Sequence, residues 1–282
     1  TTFLGRGANG ITLDLYASIH AGATSGDSLV LDAGTGHFYN YDGGGFQQTI
    51  FPPVIRFDVQ PGARWLVYSN SPERDGLGFI DLPEGLAYQF KQYGKAYGDT
   101  TPVAGTGNGI IYRVSPTLTP ALTGTIIKAY DGTTDAALTA ANYTTSGAID
   151  GDVVVLSNPA LGTYNSKNAT QATSVTVSGL SIFSATDSRR NVPVYGYQLA
   201  LDSASGSGTI TPKALSASLA AQSKTYDGST VALLSPAAFS LTGFIGTEGA
   251  TVNQSAGTYN SKDVASATGV STTLNATNFN AN

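Results

Sequence analysis

The sequence predicts an all-β protein made of several units with short strands. Only 12% of the residues are charged, against about 25% in an average globular protein, while 41% are hydrophobic, which is enough to build packed cores. Runs of alternating Val, Ile, Leu and Tyr are separated by Gly, Ser, Thr and Asn, the pattern of short strands and tight turns. Nearly the same eleven letters also occur twice, as "KAYDGTTDAAL" and "KTYDGSTVALL", which indicates repeated units. A chain of 282 residues has room for two or three such domains.

Residues 1–40 carry the pattern of stacked strands. The stretches "GITLDLYASI" and "DSLVLDAGTGHF" both alternate apolar and polar residues, and their spacing would stack Asp14 of one on Asp32 of the other. This spacing suits successive rungs of a parallel β-helix, in which each short strand stacks on the one before. We therefore predict that residues 1–40 are the end of a parallel β-helix.

Residues 41–117 form an aromatic-rich segment that we interpret as a joining or capping β segment. It contains "RWLVYSNSPERDGLG" and "LAYQFKQYGKAYG". The following "GNGIIYRVSPTLTPALTG" begins as a strand and passes through two prolines. Prolines stiffen a connection, so this stretch is expected to act as a hinge or stiff linker to the next domain.

Residues 118–212 and 213–282 are predicted to be two copies of one domain. Both contain "YDG", and "GTYNSKNA" in the first matches "GTYNSKDV" in the second at an offset that is shorter by one position. Two motifs in register across a single deletion indicate a duplication. Asp-Gly favours a tight turn, because Asp bonds its own backbone and Gly accepts a positive φ. With the tyrosines packed beneath these corners, we interpret the following residues as structural turn anchors: Tyr130, Asp131, Gly132, Tyr164, Tyr226, Asp227, Gly228 and Tyr259.

The second copy lacks a counterpart to the last part of the first, which includes the stretch from Val192 to Pro212. That stretch is expected to hold two strands. The difference is either a boundary or a gap that strands of a neighbouring chain fill, because an open sheet edge invites pairing. The second reading predicts self-association and a fibre subunit.

Composition excludes several partners and indicates an exported protein. A net charge of −5 and a pI near 4.8 oppose nucleic-acid binding, which needs clustered Lys and Arg. No apolar run is long enough to span a membrane, so membrane insertion is not expected. The absence of Cys removes disulfides and thiolate metal sites and suits export of an unfolded chain. The absence of Met as well predicts a fragment or processed form of a secreted protein.

Residue patterns for catalysis and metal binding are weak. His20 and His37 could stack on neighbouring rungs, but no carboxylates accompany them at ligand spacing. No G-x-S-x-G motif is present. Asp14 and Asp32 lie at the ends of the predicted rungs, as acids of a polysaccharide-cleaving β-helix enzyme would. Because they have no basic partner, we predict no enzyme, no catalytic residue and no cofactor.

The stretch "IDGDV" has the residue types of a calcium loop at Asp150 and Asp152. Its counterpart "IGTEG" keeps only Glu248. A metal site that defines a domain should not lose ligands between copies. The stretch is therefore interpreted as a turn, and no metal site is predicted.

Exposed aromatic residues flanked by amides would suit carbohydrate binding. The aromatic-rich segment interleaves rings with Gln89 and Gln92. The alternative is that the rings form the core of a small β domain. The candidate glycan-binding residues are Trp65, Tyr68, Tyr88, Tyr93 and Tyr97.

The combination of "KAYDGTT", "TYNSKN", "VTVSGL" and "GTITPKAL" resembles the YDG domains of filamentous-haemagglutinin-type adhesins, which two-partner secretion exports. The upstream segments resemble the end of the β-helical shaft of those adhesins. The resemblance implies sandwich-like or grasp-like β modules that act as spacers on the surface of a Gram-negative bacterium. It favours a non-enzymatic adhesin or biofilm-matrix segment, with surface polysaccharide or a cell-surface glycan as the expected partner. A self-assembling fibre subunit and a polysaccharide-binding or polysaccharide-cleaving protein remain the alternatives.

Overall fold

The computed structural model describes residues 3–13, 18–40, 56–74 and 86–281, and these are almost entirely β-strand and loop. Among the described residues, helix is limited to short 3₁₀ turns, and no helix is long and apolar enough to cross a membrane. The 3₁₀ turns are Pro72–Arg74, Ala140–Asn142, Pro236–Ala238 and Ala276–Asn278. The all-β prediction is therefore confirmed.

The chain divides into two compact units, which are described separately. The first comprises Thr1–Ile126, Asp135–Thr163 and Ser174–Ser207. The second comprises Ile127–Thr134, Tyr164–Thr173 and Gly208–Asn282. Both units are discontinuous in sequence.

In the first unit, short strands stack in parallel in three columns. One column contains β1, β4, β7 and β9, the second β2 and β5, and the third β3 and β6. The strands are β1 (Phe3–Arg6), β2 (Gly10–Leu13), β3 (Ser18–Ala21), β4 (Gly26–Asp32), β5 (His37–Asn40), β6 (Arg56–Val59), β7 (Ala63–Ser69), β8 (Phe90–Gln92) and β9 (Gly109–Tyr112).

The predicted spacing between rungs is wrong, because it is too short. Phe3 pairs with Leu29, and Gly10 pairs with His37. The chain runs through all three columns before it returns to the first, so "GITLDLYASI" does not stack on the start of "DSLVLDAGTGHF". The two histidines also lie in different columns, His20 in the third and His37 in the second.

Both faces of the first column are buried. Leu29, Leu31 and Val67 face one apolar cluster, and Val30 and Leu66 face another. This explains the unbroken apolar runs "LVL", "WLVY" and "GIIY", because parallel strands covered on both sides need no polar face. The parallel column also continues past residue 40 through β7 and β9.

The first column continues through β8 into strands from the first copy of the repeat. The order of this eight-stranded sheet is β1-β4-β7-β9-β8-β18-β17-β14. β8 pairs in parallel with β9 on one side and with β18 on the other, where Lys91 lies opposite Val194. The added strands are β14 (Asp152–Leu156), β17 (Ile182–Asp187) and β18 (Val192–Tyr195).

The remaining strands of the first copy form two smaller sheets. The proline-containing stretch, which the sequence favoured as a linker, forms β10 and pairs with β13 and β19. A five-stranded sheet has the order β11-β20-β16-β15-β12. The strands are β10 (Thr117–Leu122), β11 (Ile126–Ala129), β12 (Asp135–Ala137), β13 (Tyr143–Ser146), β15 (Leu161–Tyr164), β16 (Ser174–Ser178), β19 (Gln198–Leu199) and β20 (Ser203–Thr211).

The second copy repeats these local elements. Strands β22 and β23 follow β12 and β13 at the offset of the "YDG" motifs, and β25 follows β15 at an offset shorter by one position, so the single deletion lies between them. Ala232, Leu234 and Tyr259 form its small core. The strands are β21 (Ser216–Leu219), β22 (Val231–Leu233), β23 (Phe239–Thr242), β24 (Ala250–Val252), β25 (Ala256–Tyr259), β26 (Val270–Ser271) and β27 (Phe279–Ala281).

Candidate functional site

The Asp-Gly turn of the first copy is held by a lysine. Asp131 Oδ1 accepts hydrogen bonds from the Thr133 backbone N–H (2.9 Å) and from Lys128 Nζ (2.7 Å). Gly132 adopts a φ of 81°, which favours glycine. The hydrogen bond from Lys128 and that from the Thr133 backbone lower the pKa of Asp131 to about 2.

The second copy has the same turn. Lys224 Nζ lies 2.7 Å from Asp227 Oδ1, and Gly228 has a φ of 74°. The two lysines also lie over the rings of Tyr164 and Tyr259, at 5.6 and 5.5 Å from the ring centroids. The sequence analysis missed the lysines, although the repeated "KAYDG" and "KTYDG" place one at the same position in both copies.

The four predicted tyrosine anchors behave in two ways. Tyr164 and Tyr259 are buried. Tyr226 is instead 62% exposed, and Tyr130 donates a hydrogen bond to the Glu248 carboxylate. Because lysine and aspartate already hold the turn, the tyrosine of "YDG" is not needed beneath it. The prediction that this tyrosine packs under the corner is therefore wrong for Tyr226.

The candidate glycan-binding aromatics are mostly interior. Trp65, Tyr68, Tyr88 and Tyr93 are each at most 6% exposed. Tyr97 packs edge-on against Tyr68, with ring centroids 5.5 Å apart. A ring buried in this way cannot stack on a sugar, so the structure favours the alternative, a packed core, at the four buried positions.

Tyr88 and Tyr93 instead belong to a buried ionic cluster around Lys91. The Lys91 side chain, on β8, is fully buried. Its Nζ lies 2.5 Å from Asp152 Oδ1, 2.7 Å from Asp150 Oδ2 and 3.1 Å from Asp187 Oδ2. The three aspartates come from the beginning of β14, the turn before it and the end of β17. The site therefore forms where β8 meets the first copy of the repeat.

Tyrosine hydroxyls bind two of the carboxylates. Tyr93 and Tyr197 donate hydrogen bonds to Asp152 Oδ2, at 2.7 and 3.0 Å. Tyr88 donates to Asp187 Oδ2 at 2.5 Å. Burial, reinforced by these aspartates, raises the pKa of all three hydroxyls, which keeps them protonated as donors.

Asp150 has a second cation of its own. Arg189 donates a hydrogen bond to its Oδ1 at 2.6 Å, and the Arg189 side chain is about one third exposed. Asp150 and Gly151 both have positive φ, 55° and 70°. The predicted turn at "IDGDV" is therefore present, and it aims Asp150 and Asp152 at Lys91.

The pKa values of two acids in the cluster, Asp152 and Asp187, are shifted in opposite directions. Burial raises the pKa of Asp152 and outweighs its hydrogen bonds. Burial acts the same way on Asp187, but the hydrogen bond from Tyr88 and the charge of Lys91 bring its pKa below the usual value. Burial also acts to lower the pKa of Lys91, yet the contacts with Asp150 and Asp152 raise it overall. Of Asp152 and Asp187, Asp152 is therefore the acid that gains a proton more readily.

The three aspartates are close enough together to bind one cation, since one oxygen from each lies within 4.8 Å of the others. Lys91 Nζ already contacts all three. A cation bound at their centre would have to displace it, so the donor set fits an ammonium better than a metal ion.

Sequence reasoning missed Lys91, Asp187 and Arg189. In "YQFKQY" Lys91 follows Phe90 and lies between two tyrosines, which is a weak signal of burial because Gln residues are interleaved with the rings. Of the acids weighed for polysaccharide cleavage, Asp14 lies outside the described residues. Asp32 is ion-paired with Arg6 at 3.2 Å.

Comparison with known proteins identifies one family. The model of the YDG domain matches residues 114–191 and 211–282, more than half of the chain. No curated protein and no solved structure matches the chain.

Proposed function

Because the chain belongs to the YDG-domain family, we propose that it is a non-enzymatic stalk or spacer segment of an extracellular adhesin of the filamentous-haemagglutinin type. In this proposal the three columns of parallel strands are the end of a β-helical shaft. The YDG copies then extend the shaft on the surface of a Gram-negative cell, in attachment or in a biofilm matrix.

The observation that carries the proposal is the parallel pairing of β8 with β18. Val194 pairs with Lys91 and Tyr195 with Gln92, so strands of the first copy continue the sheet of stacked strands. A spacer must pass tension from one unit to the next. A shared sheet does so through several backbone hydrogen bonds that have to break together, whereas a flexible linker passes none until it is taut.

The packing of the same region supports the proposal. Val194 and Tyr197 from the first copy lie in one apolar cluster with Leu31 and Trp65 from the stacked strands. Burial of apolar area is the main favourable term in folding. Stacked strands and first copy therefore share a core and resist separation as one body.

Replacement of the second copy tests the spacer role. In the bacterium that secretes the protein, residues 211–282 are deleted, or replaced by an unrelated β module of similar length. We expect the deletion to reduce attachment, measured as cells retained under flow, and the replacement to restore it. A replacement that fails as the deletion does would contradict the proposal, because it would show that the repeat binds something specific.

Molar mass by light scattering separates the proposal from the fibre alternative. A spacer stays monomeric over a wide concentration range. Open-ended growth with concentration would favour a subunit completed by strands of its neighbours.

A further inference from the structure

We propose that Lys91 and Asp152 are joined by an isopeptide bond, which forms between Lys91 Nζ and Asp152 Cγ inside the folded protein. The bond would link β8 of the stacked strands to β14 of the first YDG copy. It is a covalent modification beyond the proposed spacer role and does not depend on it.

The reacting groups are already in contact and shielded from water. Lys91 Nζ and Asp152 Oδ1 are 2.5 Å apart, and both side chains are 0% exposed. Oδ1 accepts no hydrogen bond of good geometry from any described residue, so Nζ approaches this oxygen outside the usual hydrogen-bonding direction. Holding a nucleophile and an electrophile together in this way replaces an encounter in water with a unimolecular step.

The charges of the cluster leave one spare carboxylate for proton transfer. Arg189 neutralises Asp150, which leaves Lys91 with Asp152 and Asp187. Amide formation needs a neutral amine and a neutral acid. Both arise when Lys91 passes a proton to Asp152, whose charged form is disfavoured by burial, and this transfer leaves the net charge of the cluster unchanged.

The site also stabilises the tetrahedral intermediate. When Nζ attacks Cγ, negative charge develops on Asp152 Oδ2. The hydroxyls of Tyr93 and Tyr197 already donate hydrogen bonds to this oxygen at 2.7 and 3.0 Å. Two fixed donors at a buried oxyanion are the usual means of lowering the barrier of acyl transfer.

Asp187 completes the proton transfers. Its Oδ2 lies 3.1 Å from Lys91 Nζ, within reach of the proton that the attacking nitrogen must lose. Asp187 takes this proton and gives it to Oδ1, which leaves as water. Overall, one ammonium and one carboxylate become one amide and one water molecule, without an oxidant, a reductant or any other reactant.

Intact mass spectrometry of the full 282-residue chain tests the proposal. We expect a mass lower than that of the sequence by one water molecule. Trypsin should not cut after Lys91, because its side chain is an amide. Fragmentation should give a branched peptide that joins the segments around Lys91 and Asp152.

Two variants with the same substitution localise the bond. Lys91→Arg keeps a positive charge but provides no amine nucleophile, so its mass should equal that of its sequence. Lys95→Arg replaces a second buried lysine, which binds Thr101 and contacts no carboxylate of the part of the chain that the structure describes. This variant should keep the loss of water. Because the bond forms only in the folded protein, circular dichroism is recorded first, and the Lys95→Arg mass is compared once that variant shows the wild-type spectrum.

Two outcomes would overturn the proposal. One is a wild-type mass equal to that of the sequence, with normal cleavage after Lys91. The other is loss of water while Lys91 remains cleavable, which would indicate a succinimide at an Asp-Gly step such as Asp150–Gly151.

Discussion

Lys91 and Lys128 each bind aspartate, but their burial makes the two contacts different in consequence. Lys128 and Asp131 are partly exposed to solvent, where such pairs contribute little to stability. Lys91 and Asp152 are fully buried, so before the proposed bond forms their attraction is offset by the desolvation of both charges. Losing one partner of the buried set then leaves charges without compensation.

Replacement of Lys91 measures this imbalance. Lys91→Met should lower the free energy of unfolding at neutral pH by about 3–5 kcal/mol or more, because it prevents the proposed bond and leaves carboxylates buried without a cation. Without the cation the folded-state pKa values of these acids rise above their unfolded values. The loss should therefore be smallest at acid pH and grow as the pH rises through those values.

Urea denaturation at two pH values checks the expectation. Lys95→Met is the matched control, since among the described residues Lys95 binds Thr101 and no acid, and its loss should cost about 1–3 kcal/mol with little pH dependence. Equal losses in both variants at both pH values would contradict the account of the cluster.

The Asp-Gly turns predict a depressed acid pKa. Hydrogen bonds from Lys128 and Thr133 lower the pKa of Asp131 to about 2, against an ordinary value of 3.8. A pKa depressed by folding adds stability above pH 3.8, and this stability is lost as the pH falls towards about 2. Lys128→Ala should raise the pKa of Asp131 towards 3.8 and leave Asp227 in the other copy unchanged, as read from carboxyl chemical shifts. An unmoved Asp131 would show that Lys128 does not set its pKa.

At the scale of elements, the sequence predicted the repeat better than the stacked strands. Turn chemistry is local, so "YDG" and "TYNSK" show the duplication directly, and β12, β13 and β15 recur in the second copy. Which strands pair within a column depends on the number of residues in the turns between strands. The alternation of apolar and polar residues does not contain this information. The predicted spacing therefore missed the pairing of Phe3 with Leu29.

The cluster around Lys91 could not be predicted from the sequence either, because it also depends on how distant strands pair. Lys91 and Asp187 are distant in the sequence, and only the pairing of β8 with β18 brings them together. For the aromatic side chains of the same segment the sequence left two interpretations open, a glycan-binding surface and a packed core, because a half-buried strand and a binding surface share one composition. Tyr88 and Tyr93 show that the polar tip of a buried tyrosine can serve an ion cluster.

Gly196 tests the joint between β8 and the first copy. It has a φ of 90°, and a Cβ there would meet the backbone oxygen of Tyr93. Gly179 also has a positive φ, 76°, but nothing lies within 4 Å of its Cβ position. Gly196→Ala should therefore destabilise the protein by about 2 kcal/mol or more beyond Gly179→Ala, measured by urea denaturation. Equal losses would mean that the backbones at this joint can move apart freely.

At the scale of the whole molecule, apolar packing is uneven. The stacked strands and first copy share a large cluster that includes Ile110 and Leu118. Among the described residues of the second copy, one small cluster has Ala232, Leu234 and Tyr259 as its buried members. Since buried apolar area supplies most of the stability, the second copy should unfold first.

Calorimetry should resolve this order as two transitions. Leu234→Ala should lower the free energy of unfolding of only the first transition, by about 2–5 kcal/mol. Ile110→Ala should lower that of only the second transition by a similar amount. Leu233, next to Leu234 but 85% exposed, is the control, and Leu233→Ala should leave both transitions in place. A single transition that both core variants shift equally would show that the second copy does not unfold separately.

The hydrogen bond from Tyr130 to Glu248 is relevant to how a chain of this kind gains copies by duplication. Glu248 occupies the position of Asp152 in the other copy, and each acid accepts a hydroxyl from a tyrosine that precedes its own copy, Tyr93 or Tyr130. One copy therefore carries an acid for the unit before it and a tyrosine for the unit after it. Tandem duplication of such a segment reproduces both members of the pair in each copy. Tyr226, at the position of Tyr130, is exposed.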